Sequence, residues 1–276
     1  MSLYICSLNS GSNANCYYIG NNDEAVLIDA GISCRETEKR MKALGLSMDK
    51  VKAVFISHEH SDHITGLPGI SKKYQLPVFI TEATLRNSRL PIEKHLIHSF
   101  QQTKVITIGR LKIIPFRKHH DAADPHSFMV SYNGINTGII TDIGFACKKV
   151  IKYFSQCHAV FIESNYCDDM LANGNYPYHL QQRISSDVGH LSNAQALELF
   201  LHYRSDALQL LILSHLSKNN NKPEVVEKLF TPHAGKTKIF VASRYEASPV
   251  FTLHNSGVSS FTKSKAAKNE NQLSLF

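Results

Sequence analysis

Short apolar runs alternate with amphipathic stretches from the first residues of the chain. "LYICSL" (3–8), "CYYIG" (16–20) and "AVLIDAG" (25–31) read as buried strands. A helix follows, with Ser33 as its N-cap, Glu36 three positions on to close a capping box, and Gly45 as its stop. "AVFISH" (53–58) is a buried strand, succeeded by a helix near 65–74, the strand "PVFI" (77–80) and a short helix from Thr81. "KVITIG" and "LKIIPFRKHH" predict a hairpin that turns through Gly109 and Arg110. The second half reads "SFMVSY" (127–132), "INTGIITD" (135–142), a helix near 147–156 and "AVFIES" (159–164). An irregular stretch then runs to about 190, before a helix from Ser192, the strand "LQLLIL" (208–213), a helix opened by Pro223, and "KIFVAS" (238–243).

Strands lead each half and helices trail. The pattern predicts two mixed α/β halves whose sheets pack face to face with helices outside. No internal repeat is readable. From about Ser256 the periodicity stops, so residues 1–255 read as one catalytic body and 256–276 as a flexible tail.

Composition sharpens this picture in three ways. At 276 residues and 43% hydrophobic, the chain can bury one large core, or two halves around a shared one. The 30 basic against 23 acidic residues leave a net charge of +7, which favours polyanionic partners such as DNA. No apolar run reaches the roughly 18 residues of a membrane helix. The start, "MSLYICSLNSGSNANC", lacks the basic and apolar regions of a signal peptide. Six scattered cysteines without a CxxC pair read as reduced thiols, and the expected location is the cytoplasm.

The main chemical signal is histidine. "SHEHSDH" (57–63) carries His58, His60, Asp62 and His63 directly after a buried strand. In an extended stretch His58 and His60 point the same way, so both can bind one ion. Asp62 and His63, at the turn into a helix, are free to face a second ion. Further donors follow other apolar strands: His119 and His120 in "FRKHHD", Asp142 in "GIITD", and His215 in "LILSH". Each alone would pass for a structural residue. Together they point to one sheet edge, where a carboxylate such as Asp142 can serve two ions through its two oxygens.

These residues resemble the pattern of the metallo-β-lactamase-fold hydrolases. The resemblance implies an α/β fold of four layers, an αββα sandwich. It assigns His58, His60 and His120 to one divalent ion, Asp62, His63 and His215 to another, and Asp142 to both. It makes Asp29, in "LIDAG", a structural brace of the metal loop. The stretches "HDAADP", "ESNYCDDML", "RISSDVGHLSN" and "SHLSKNNN" resemble the YycJ/WalJ-like subfamily more narrowly. That likeness selects His120 over His119. It implies a metal-dependent nuclease, a 5′→3′ DNA exonuclease of mismatch repair. Zinc or manganese suits the donors, and iron is compatible with them. His119 is left as a neighbour on the opposite face or a basic contact, and His126 as a candidate for the cleft wall.

A phosphodiester needs an activated water, a clamp on phosphoryl oxygens and help for the leaving oxygen. Two ions would supply the first two, and Asp62, one of their ligands, is counted among the catalytic residues. His190, in "GHLSN", is the candidate for the last. With Ser192 and Asn193 at a helix start it would form a phosphate-facing corner, and Lys218 after His215 would add a weaker phosphate contact. The same ligand set also serves thioesterases of the glyoxalase type and hydrolases of small or cyclic phosphodiesters. A DNA- or clamp-bound adaptor without catalysis is a third reading.

The chain closes on Gln272, Leu273, Ser274, Leu275 and Phe276. "QLSLF" resembles the pentapeptide that binds the bacterial β sliding clamp. The polar "KSKAAKNEN" before it reads as a solvated spacer. The expectation is a nuclease body tethered to the clamp by its tail.

Overall fold

The structure is a computed structural model, and it describes residues 2–261. The first sheet begins with β1 (Leu3–Asn9), β2 (Cys16–Gly20), β3 (Ala25–Ile28), β4 (Val51–Phe55), β5 (Val78–Phe79) and β6 (Ile97–His98). The second holds β7 (Ile106–Ile108), β8 (Leu111–Arg117), β9 (His126–Tyr132), β10 (Ile135–Ile140), β11 (Ala159–Glu163), β12 (Leu210–Ser214) and β13 (Lys238–Val241). The chain then returns to the first sheet with β14 (Val250–His254) and β15 (Gly257–Phe261), giving the order β15-β14-β1-β2-β3-β4-β5-β6.

Helices cover the outer faces: α1 (Cys34–Ala43), α2 (Ser61–Ile64), α3 (Leu67–Tyr74) and α4 (Glu82–Ser88) by the first sheet. By the second lie α5 (Lys148–Phe154), α8 (Asn193–Tyr203) and α9 (Pro223–Phe230), while α6 (Asp168–Ala172) and α7 (Tyr178–Ile184) lie in the connection from β11 to α8. The central strands have both faces buried, so they read as continuous apolar runs whose alternate residues go opposite ways. In β3, Val26 and Ile28 join the core between the sheets, while Ala25 and Leu27 pack under α1 and α3 with Met41 and Ile70. In β11, Ala159 and Phe161 face the first sheet, and Val160 and Ile162 pack with Phe154, Leu199 and Phe230 on α5, α8 and α9. Three apolar seams thus separate four layers, the αββα sandwich that the pattern predicts. Phe55, Phe128 and Phe161 fill the middle seam, and burying each contributes about 1.5–3 kcal/mol.

Several elements differ from the sequence reading. Ser33 caps α1 by accepting the Glu36 N–H, but the Glu36 carboxylate pairs with Arg40 at 2.8 Å and Lys39 at 3.3 Å instead of closing the box. The helix expected near 65–74 breaks at Thr65–Gly66, where a Cβ on Gly66 would lie 1.8 Å from the Ile32 carbonyl oxygen. The stretch before residue 190 contains α6 and α7. The body does not end at residue 255: the apparent loss of periodicity is a hairpin turn, and β15 is a mostly exposed edge strand whose polar residues disguise it. The expected tail therefore begins no earlier than residue 262. Residues 262–276, including the Gln272–Phe276 motif, lie outside the described residues.

Candidate metal centre

Strand ends build the site. β10, β11 and β12 are mutually parallel, and β8 shares their direction because two antiparallel steps through β9 separate it from β10. Their carboxyl ends therefore open on one edge and present His120, Asp142, Glu163 and His215. β3 and β4, also parallel, bring Asp29 and His58 to the facing edge. Asp29, Asp142 and His215 have φ of 61°, 55° and 57°. Non-glycine residues rarely adopt that left-handed conformation, and it costs on the order of 1–3 kcal/mol each. Here it turns the chain sharply off each strand and swings the side chain toward the site.

The donor atoms fall into two neighbouring groups. His58 Nε2 and His60 Nδ1 are 3.1 Å apart, and His120 Nε2 is 3.3 Å from the same His60 atom. In the other group His63 Nε2 lies 3.4 Å from Asp62 Oδ2, and His215 Nε2 lies 3.5 Å from it. Asp142 stands between: Oδ2 is 3.3 Å from His63 Nε2, Oδ1 is 3.4 Å from His215 Nε2 and 3.9 Å from His120 Nε2. Within each of the sets His58–His60–His120, His58–His63–Asp142 and Asp62–His63–His215 the donor atoms are within 4.8 Å of one another.

The second nitrogen of four rings is anchored, which fixes the tautomer and aims the first. His63 Nδ1 donates to Asp29 Oδ2 at 2.7 Å, and the same carboxylate accepts the Ser57 N–H and Oγ–H at 2.8 Å each. His58 Nδ1 meets Ser57 Oγ at 2.9 Å. His120 Nδ1 donates to the Gly189 carbonyl at 3.0 Å. His215 Nδ1 donates to Glu163 Oε1 at 2.9 Å. Asn15 Nδ2 donates to Asp62 Oδ2 at 3.1 Å, which ties the metal loop to the β1–β2 turn.

The charge balance calls for cations. Burial pushes His58 down and takes His120 to about 4, so both rings are neutral and each can offer a nitrogen lone pair to an ion. Burial would raise Asp142, but His215 and His63 outweigh it and hold the carboxyl well below its usual range. Burial likewise opposes protonation of His63 and His215, yet the surrounding carboxylates raise both, His215 to about 10. Lys118, 3% exposed, adds one internal ammonium that donates to the Thr141 carbonyl at 2.7 Å. Asp142 Oδ2 and His215 Nε2 are buried without a hydrogen-bond partner among the described residues. Orphaned buried atoms are costly, and these two are donor atoms of the sets above. The residues fit divalent ions.

A sequence profile described as the Metallo-beta-lactamase superfamily matches residues 10–165. The chain is 34% identical over 82% of its length, and 86% of the relative's, to exodeoxyribonuclease YycJ of Bacillus anthracis. The chain belongs to the metallo-beta-lactamase superfamily. Within it the chain falls in the YycJ/WalJ-like subfamily, being also 30% identical over 79% of its length, and 83% of the relative's, to exodeoxyribonuclease WalJ of Streptococcus pneumoniae. The metallo-beta-lactamase-fold protein YhfI from Bacillus subtilis superposes with a TM-score of 0.71 at 16% identity, over 90% of this chain and 99% of that one. Human tRNase Z, short form, superposes with a TM-score of 0.61 at 14% identity, over 89% of this chain and 98% of that one. Those two likenesses speak for the fold. As a metallo-beta-lactamase-superfamily member with this donor set, the protein is a metal-dependent hydrolase.

Within this superfamily site the seven expected metal donors converge, and Asp29 stands behind His63. His190 also lies at the centre: its ring centroid is 5.2 Å from that of His120 and 5.3 Å from that of His215. The expected phosphate corner does not form. Ser192 is buried and its hydroxyl accepts the Gln195 N–H, while Gln195 Oε1 accepts the Ser192 N–H, a complete capping box. Asn193 is buried in a net with Ser164 Oγ at 2.6 Å and Asn221. Ser192 caps α8 and Asn193 ties that helix to the segments that follow β11 and precede α9, so both side chains are engaged within the fold. Lys218 is exposed on the turn after His215. His126 is 3% exposed, packs edge-on against Phe100 and belongs to the core behind the metal loop, not the cleft wall. His119 is exposed and points away from the metals, against Phe145.

Sequence reasoning missed Glu163. It is fully buried, and its two oxygens accept from His190 Nδ1, His215 Nδ1 and the N–H groups of Ile143 and Leu191. Its signal was available: an acid ending the apolar run "AVFIE" beside two other strand ends that carry donors. Asn15, Lys118 and Asn165, whose Nδ2 donates to the His215 carbonyl at 2.8 Å, were missed as well. Their roles depend on loops distant in sequence.

Proposed function

We propose that the protein is a DNA exonuclease of 5′→3′ polarity, acting in DNA repair and using two divalent ions, zinc or manganese, with iron also compatible with the donors. The reading is supported by the donor constellation with a proton-handling histidine beside it, and by the exodeoxyribonuclease names of its two relatives. His58, His60 and His120 would hold one ion, Asp62, His63 and His215 the other, and Asp142 both. The ions would supply Lewis acidity toward phosphoryl oxygens and an acidified water.

The chain's own residues supply the rest. Glu163 Oε1 accepts the Nδ1 proton of His190 at 2.8 Å, which leaves Nε2 as the ring atom that exchanges a proton with a leaving oxygen. His190 has a side chain 23% exposed, enough for a substrate to reach it. Burial would raise the Glu163 carboxyl, but His190 and His215 outweigh it and hold it at about 2, so it remains an anionic acceptor at neutral pH. Asp29 and Ser57 keep the metal loop in register and touch no substrate.

The six cysteines are free, which fits a reducing cytoplasm. No helix among the described residues is long and apolar enough to cross a membrane. The "QLSLF" motif supports recruitment to replication sites by the β sliding clamp as part of the same proposal.

DNA labelled at either end, digested by the metal-loaded protein with added zinc or manganese, tests the activity. Release of the 5′ label as the first product is expected. Turnover of a thioester with intact DNA would sink the nuclease and favour the glyoxalase type. Inactivity in both assays, with no metal by elemental analysis, would leave an adaptor.

A further inference from the structure

A cleft of about 550 Å³ opens beside the metal centre and shares His120 with it. The backbone that carries His120 inward turns His119 outward, so one dipeptide faces both the metals and the cleft. Arg117, His119, Lys148 and Lys149 are exposed around it, Phe145 is half-buried in it, and no carboxylate is among its lining residues. Asp124 is near, 3.4 Å from Arg117 Nε, and Lys149 Nζ donates to Gln102 Oε1 at 2.7 Å. Neither interaction buries its cation.

The aromatic pair is the specific feature. The His119 and Phe145 rings are 4.6 Å apart, tilted by 38°. Their backbones are joined as well: the Gly144 N–H donates to the His119 carbonyl at 2.8 Å. A Cβ on Gly144 would sit 2.0 Å from the Asp187 carbonyl oxygen, so three loops meet here with no slack. The outer lip carries Val188, 44% exposed. A rigid aromatic shelf with cations beside it suits an unpaired nucleotide, whose base stacks and whose phosphates meet the charges.

We propose that this cleft seats unpaired nucleotides of the DNA strand next to the phosphate being cut, an inference that rests on the nuclease reading above. The base lies on Phe145 and His119, and Arg117, Lys148 and Lys149 hold the backbone. The site thereby favours a frayed or single-stranded end over an intact duplex, because a paired base cannot reach the shelf.

The test measures anisotropy of a labelled single-stranded oligonucleotide with a phosphorothioate backbone, bound to the metal-loaded protein. Phe145→Ala should weaken binding about tenfold, the size of one lost base–aromatic stack. Phe145→Leu, which keeps an apolar wall, should lose as much. Combined Lys148→Ala and Lys149→Ala should lower the slope of log Kd against log salt by about 0.7 per cation. Lys52→Ala, at the opposite end of β4 from the metals, should leave that slope alone. Metal content and thermal unfolding verify that each variant is folded. Binding within twofold of the parent in all the cleft variants would overturn the proposal. So would full recovery in Phe145→Leu, or equal loss in Lys52→Ala. A parent that cuts DNA while the variants bind normally removes the cleft alone. A parent that releases no nucleotide from DNA removes the nuclease reading and the cleft with it.

Discussion

Glu163 and His190 share a 2.8 Å hydrogen bond, and the same Glu163 oxygen receives the Nδ1–H of His215 at 2.9 Å. One buried carboxylate therefore positions a metal donor and the ring proposed to protonate the leaving group. Its location at the end of β11, between the strands that deliver Asp142 and His215, makes this sharing possible.

His190→Ala should keep its metals and lose roughly 10²–10⁴ in rate on DNA, the usual size of a general-acid contribution. The loss should be smaller on a nitrophenyl phosphodiester, whose leaving group needs no proton. An equal loss on both substrates would mean that the ring binds phosphate or supports structure instead.

Glu163→Gln tests the shared carboxylate by its linkage to pH. The carboxyl is held at about 2 in the folded protein against an ordinary 4.5, so its stabilising contribution is present above about 4.5 and is lost as pH falls toward 2. The metal-free variant should be less stable than the parent at pH 7 in urea unfolding. That gap should narrow between pH 4.5 and 3. A gap that stays constant across this range would mean that shape, not charge, makes Glu163 necessary.

Asp142→Ala should abolish activity and loosen both ions, since its carboxylate lies 3.3 Å from His63 Nε2 and 3.4 Å from His215 Nε2 in one donor set and 3.9 Å from His120 Nε2 in the other. Native mass spectrometry should find fewer than two ions per chain. Two tightly held ions with normal turnover would place the shared ligand elsewhere.

A close approach between backbones sets the metal loop. A Cβ on Gly31 would fall 1.8 Å from the Asp62 carbonyl oxygen and 2.6 Å from the Asn15 nitrogen. Gly31→Ala must push Asp62 outward, so it should cost about 1–3 kcal/mol and lower metal occupancy. Gly69→Ala is the counterpart. Its Cβ would meet only the Cys34 Cβ, at an ordinary 3.4 Å, inside α3. Helix propensity predicts a gain of up to about 1 kcal/mol there. Calorimetry of the pair should separate them by sign.

The legible parts of this protein were those carried by local pattern. The apolar runs of β3, β11 and β12 announced strands buried on both faces. The donors that follow apolar runs announced which side chains converge at one sheet edge. Most of what escaped reading depends on partners far along the chain. Asn193 looked free to meet a phosphate because its partner Asn221 lies on a distant loop, whereas Ser192 was open to reading, since Gln195 three positions on completes a local capping box. His126 looked like a cleft residue because its packing on Phe100 joins β9 to the loop after β6. Glu163 looked like the polar end of a strand until β10 and β12 surrounded it. Edge strand β15 gave no signal, since a strand exposed on its faces needs no apolar alternation.

The "QLSLF" motif, Gln272 to Phe276, predicts a partner independent of DNA. Leu275 and Phe276 would fill an apolar pocket on the clamp, with a gross gain of a few kcal/mol, about 1.5–3 for each side chain. Ordering the segment on binding offsets part of that gain, so micromolar affinity is expected. Such weak binding suffices for a tether, because a body that also holds DNA raises the effective concentration of the motif at the clamp, and the clamp does the same for the body. Removing residues 272–276 should abolish binding to the organism's own clamp in surface plasmon resonance while cleavage of short oligonucleotides persists. On DNA loaded with clamp, the parent should cut faster than the truncated protein, and without clamp the two should match. If the motif instead docks its leucines on its own body, truncation will lower the unfolding temperature and the full chain will not bind clamp at tens of micromolar.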